Sequence, residues 1–204
     1  NGWNNSDVTV QWNWEDNAGL GLNLDACTAS NKSSGQGLLT LNATCSDLIG
    51  NQGSATYAVK VDKLNPTAAP TQFPAANANG WNNTDVTVDW RWSDSGGSGL
   101  DPTACAATIT SSGEGSRVLR GDCWDLANNR AQPEITVKVD KTVPGVTVTG
   151  ISNGATYTLG SVPVAGCNTT DARSGVATPA TVSITGGNAD GMGTWLRRFQ
   201  ALHR

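Results

Sequence analysis

The chain has 204 residues, of which only 15% are charged, and a formal net charge of −4. No basic stripe precedes the C-terminal stretch, which argues against nucleic acid as a partner, and no apolar run approaches the roughly 18 residues of a membrane span. The one histidine, His203, lies in the tail, which excludes Ser/His/Asp and Cys/His nucleophilic sites from the body of the chain, and no Gly-x-x-x-x-Gly-Lys-Ser/Thr phosphate loop occurs.

Alternation is the dominant pattern from the N-terminus onward. Val8, Val10, Trp12 and Trp14 share one face, with Thr9, Gln11 and Asn13 on the other. Leu39, Leu41, Ala43 and Cys45 share a face further on, and Tyr57, Val59 and Val61 follow. This period of two predicts half-buried antiparallel strands. Clusters of Gly, Asn, Asp and Ser at 16–21 and 33–37 predict the turns between them. Lys63–Ala78 carries Pro66, Pro70 and Pro74 and reads as a stiff linker or an entering edge strand.

Residues 1–63 then return without a gap as residues 79–141, with about half the aligned positions identical. Trp12 and Trp14 reappear as Trp90 and Trp92, and Ile135, Val137 and Val139 close the second copy. Such repetition predicts an array of like domains. The expected boundaries are 1–63 for repeat 1, 64–78 for the linker, 79–144 for repeat 2, and 145–191 for a partial repeat 3. An atypical basic tail follows at 192–204. In repeat 3, Asp171–Val176 echoes Asp94–Leu100. In the tail, Trp195, Leu196, Phe199 and Leu202 fit one face of an amphipathic helix, although a truncated or frameshifted end is the preferred reading. With no leader and no initial Met, the chain is expected to be a processed product or part of a longer reading frame.

The cysteines follow the repeat. Cys27 and Cys45 have the same spacing as Cys105 and Cys123. Two repeated pairs in small units predict two disulfides and an oxidising compartment. Closing each loop contributes ~3 kcal/mol in the chain-entropy model. Zinc fails on ligand supply, because there is no Cys-x-x-Cys and no histidine in the repeats. Cys167 is left unpaired.

Several motifs carry a family resemblance. They are Gly-Trp-Asn-Asn-[Ser/Thr]-Asp-Val-Thr-Val at 2–10 and 80–88, Cys-x-Asp-Leu-x-x-Asn at 45–51 and 123–129, and Val-Lys-Val-Asp-Lys at 59–63 and 137–141. The chain resembles the bacterial immunoglobulin-like (Big-type) tandem repeats of secreted and surface proteins. The resemblance implies an all-β fold of tandem immunoglobulin-like antiparallel β-sandwiches, each complete unit with one disulfide. It also implies an extracellular or cell-surface location and a spacer role. Two departures stand out. Relatives often carry Asp-x-Ala-Gly-Asn after the second cysteine, where this chain has Asp47–Asn51 and Asp125–Asn129; Gly50 and Asn128 still suit a left-handed turn. Relatives also often place a cysteine in the first strand, where Trp12 and Trp90 stand here.

No catalytic residue is expected, and the chain reads as a non-catalytic stalk. Eight tryptophans against two tyrosines and two phenylalanines raise one alternative, a carbohydrate-binding or adhesive module. Its stacking candidates are Trp3, Trp81 and Trp124, since sugar rings present apolar C–H faces to an aromatic plane. Another alternative is an ancillary domain of an exported hydrolase. Cofactors are expected to be none, with Asp16 and Asp94 as weak calcium candidates in the absence of an Asp-x-Asp-x-Asp run. The expected partners are neighbouring immunoglobulin-like repeats of a longer chain, then surface glycans or a host protein.

Overall fold

The computed structural model describes residues 2–17, 19–186, 193 and 195–200. These form β-strands and one 3-10 turn, Leu24–Ala26, with no α-helix among the described residues. Among the described residues no helix is long and apolar enough to cross a membrane. By contacts the chain divides into two compact units. The first holds Asn1–Phe73, Thr87–Thr110 and Val118–Thr136; the second holds Pro74–Val86, Ser111–Arg117 and Val137–Arg204.

In the first unit the longest element is a hairpin. Gly37–Asp47 pairs antiparallel with Gln52–Val61, in register from Gly37↔Val61 to Ser46↔Gln52. The turn closes through Asp47 N–H to Asn51 O at 3.0 Å, with Gly50 at φ +94°. The expected face is present: Ala43, Cys45, Val59 and Val61 are buried. Tyr57, placed on that face by alternation, is exposed instead. Not every pairing is antiparallel. Trp3–Asn4 runs parallel to the closing strand, with Trp3 opposite Lys60.

The stretch after Lys63 enters the sheets. Thr67–Ala68 pairs with Trp92–Ser93, and Thr71–Phe73 pairs with Thr87–Asp89. Of the two readings for this stretch, the entering edge strand holds at these residues. Thr87–Asp89 also pairs with Thr108–Thr110, so it is central to three strands. Its neighbour Trp90 is fully buried, and the Trp90 and Trp92 rings stack with centroids 5.9 Å apart. Gly121 makes this possible, because a Cβ there would lie 2.8 Å from Trp90 and 2.9 Å from Trp92. Disulfides join Cys27 to Cys45 and Cys105 to Cys123.

In the second unit, Trp81 pairs in parallel with Lys138 and Asn82 with Val139, matching the parallel pairing at Trp3. Val86, Val137 and Val139 are buried. Gly145–Thr149 pairs antiparallel with Gly166–Thr170, with Val148 opposite Cys167. Cys167 is free and half-buried, and its thiol donates to Ala180 O at 3.1 Å.

The tail departs from the helical reading. Trp195–Gln200 is a strand, antiparallel to Thr181–Gly186, from Thr181↔Gln200 to Gly186↔Trp195. A strand already waiting in repeat 3 satisfies its backbone in a ladder, which a lone helical stripe of this length does not achieve. Leu202 and His203 lie outside the described residues.

Candidate functional site

The same hydrogen-bond pattern recurs wherever one repeat ends and the next begins. Asp62 follows the closing strand of repeat 1 and is buried. Its Oδ1 accepts the Leu64 N–H at 3.1 Å, and its Oδ2 accepts the Ser98 N–H of repeat 2 at 2.9 Å. Asp140 closes repeat 2 the same way, accepting from Thr142 N–H at 3.1 Å and from Ser174 N–H of repeat 3 at 3.0 Å. A second bond ties the first joint, since Asn129 Nδ2 donates to Asp62 O at 2.8 Å. Gly96 completes it by leaving room: a Cβ there would lie 1.7 Å from Asp62 Oδ1.

The loops facing Asp62 are themselves held by carboxylates. Asp94 accepts from Gly96 N–H and Gly99 N–H. Asp125 accepts from Ala127 N–H, Asn129 N–H and Asn129 Nδ2. Asp47 binds the equivalent turn of repeat 1 through Ile49 N–H, Asn51 N–H and Asn51 Nδ2. These are Asx turns, in which a short carboxylate substitutes for backbone acceptors. Asn128 takes φ +70° where repeat 1 has Gly50, as the sequence allows.

The result is a trio. Carboxylate oxygens of Asp62, Asp94 and Asp125 lie within 4.8 Å of one another. Burial pushes the Asp62 carboxyl upward, but the Ser98 hydroxyl and N–H and the Leu64 N–H outweigh it, so the group ends below the usual carboxylate range. Asp140 behaves alike, with donors from Ser174 and Thr142 and the charge of Arg173 outweighing burial. Three carboxylates are the right donor class for a hard divalent cation. Each of their oxygens also accepts an N–H, so hydrogen bonds hold the trio in place. Of the two calcium candidates, Asp94 belongs to this trio. Asp16 does not: it is exposed and accepts the Gly21 N–H at 2.9 Å.

The stacking candidates are all half-buried, and each has a cation over its ring. Lys60 Nζ lies 5.9 Å from the Trp3 centroid, Lys138 Nζ 5.8 Å from Trp81, and the Arg130 guanidinium 5.1 Å from Trp124. Trp3 also faces Gly97, whose added Cβ would meet its ring at 3.3 Å. Arg130 is held over Trp124 by Asp122, at 2.8 and 2.7 Å.

In the sequence Asp62 and Asp140 stand only as part of a repeated motif. Their signal was present, as the final Asp of Val-Lys-Val-Asp-Lys directly before each linker. Comparisons with protein-family models, with curated proteins and with solved structures each find no match to this chain.

Proposed function

We propose that the chain is a non-catalytic, extracellular array of immunoglobulin-like β-sandwiches of the Big type, serving as a spacer in a secreted or surface protein. The observation that carries this is the repeated joint. A buried aspartate at the end of each repeat accepts N–H groups from its own linker and from the next repeat, at Asp62 and again at Asp140. Burying a charged acceptor is favourable only with its donors in place. A joint made this way therefore resists bending, since bending strands a carboxylate. Two disulfides within the array fit an oxidising location.

The test is 15N relaxation on the whole chain. Repeats 1 and 2 should share one rotational correlation time, and Asp62→Ala should give them separate, shorter ones. Independent tumbling in the native chain would sink the spacer reading. Chelation with EDTA should leave the shared value unchanged if the N–H donors to these carboxylates hold the joint by themselves. Separation on adding EDTA would instead assign calcium to Asp62, Asp94 and Asp125.

A further inference from the structure

A cleft of about 870 Å³ lies within the second unit. Its size suits a small-molecule site. Trp81 stands in its wall, together with Asn79, Asn83, Lys141 and Asp171.

Trp81 is held firmly before any ligand arrives. Asn77 Oδ1 accepts both the Asn79 N–H at 2.9 Å and the Trp81 N–H at 3.0 Å. Asn77 N–H donates to Trp81 O at 2.9 Å, and Gly80 N–H to Asn77 O, closing a turn with Gly80 at φ +80°. Parallel pairing with Lys138 fixes the other side. Such preorganisation lowers the ordering cost of binding.

The polar groups around it are unevenly used. The indoles of Trp12, Trp14 and Trp92 each donate to an acceptor within the chain. The Trp81 indole N–H has no acceptor among the described residues, and it is not a buried orphan. Asp171 uses Oδ1 for the Arg173 and Gly175 N–H groups, while Oδ2 has no donor among the described residues. Asn79 and Asn83 are exposed and supply amide donors and acceptors. Of the nearby cations, Lys141 pairs with Asp85 and Arg173 with Glu114, while Lys138 lies over the Trp81 ring and does not line the cleft.

This chemistry selects the ligand class. An anion finds the Asp140 and Asp171 carboxylates in the lining, where the one lysine, Lys141, is already ion-paired. A purely apolar ligand would strand Asp171 and the amides. A neutral molecule with an apolar face and a rim of hydroxyls satisfies both requirements, stacking on the indole while its O–H groups donate to Asp171 Oδ2 and bond the amides. We infer that this cleft binds a neutral oligosaccharide, with Trp81 as its platform and Asp171 as its acceptor. The inference goes beyond the spacer reading and does not depend on it.

The test uses the whole chain and four probes: cellotetraose, maltotetraose, mannotetraose and chitotetraose. One of them should shift the Trp81 indole resonance saturably in 1H–15N spectra and leave the Trp124 indole in place. Asp171→Asn preserves the Oδ1 acceptor for the loop and removes the free one, so affinity should fall about tenfold, the equivalent of one charge-assisted hydrogen bond. The exposed pair Asn79→Ala/Asn83→Ala should also weaken binding without unfolding the chain. The inference is overturned if no probe gives a saturable shift, or if both variants bind as the native chain does.

Discussion

Repeats 1 and 2 share their strands and their hydrogen bonds, yet one is half-open where the other is closed. Trp12 and Trp90 occupy the same position in the repeat, but Trp12 is half-buried and Trp90 fully buried. Two differences account for this. Repeat 2 gains the strands Thr67–Ala68 and Thr71–Phe73 from the preceding linker, whereas Thr9–Gln11 pairs with Ser30–Lys32 alone among the described strands. Repeat 2 also has Gly121 where repeat 1 has Ala43, and the missing methyl admits the stacked Trp90 and Trp92 rings.

The loop ends differ in the same sense. Repeat 1 keeps an open hollow of about 240 Å³ lined by Trp14, Asp16 and Asp47. At the matching end of repeat 2, Trp124 replaces Ser46, and Asp62 lies against Asp94 and Asp125. Leu20 is 71% exposed in the first loop, while Ser98, at its position in the second, is 7% exposed and donates to Asp62. The lesson is that a repeat's core is completed by what precedes it. Its own residues supply a frame, and the linker and terminal aspartate of the previous repeat close it.

The largest expected effect tests that closure directly. Trp90→Ala should lower the unfolding free energy by about 3–5 kcal/mol, the usual cost of deleting a buried aromatic. Trp12→Ala should cost clearly less. Urea denaturation of the two variants decides it, and equal losses would mean that burial does not set the difference.

Exchanging the small residues sharpens the comparison. Gly121→Ala places a methyl against two indole rings and should cost about 1–3 kcal/mol through overpacking. The reverse change, Ala43→Gly, meets no such crowding and should act mainly through lost burial and strand preference. A Gly121→Ala variant as stable as the native chain, in a thermal melt, would show that the rings have room to move.

The smallest effect is on pH. The Asp62 carboxyl sits below its unfolded value of about 3.9. Its contribution is therefore fully present above that value and lost as pH falls through the folded one. Asp62→Asn should flatten the slope of unfolding free energy against pH below about 4. An unchanged slope would place the acid sensitivity elsewhere, with Asp7 the next candidate, since Lys63 lowers its carboxyl.

Much of this was legible in the sequence. The all-β character, the strand faces around Ala43 and Val61, both cysteine pairs and the left-handed turn at Asn128 follow from local rules. Alternation fixes a face, repeated spacing fixes a pair, and backbone sterics fix a turn residue. The helical stripe, the lesser of the two readings of the tail, gives way to a strand at Trp195–Gln200, because a short apolar run fits either period and only a partner strand chooses between them. How deep Trp90 lies, which aspartates meet, and where Trp81 finds a cleft were decided by tertiary structure alone. Burial and convergence depend on which surfaces come together across the repeats, and the local pattern that the two repeats share carries no record of that.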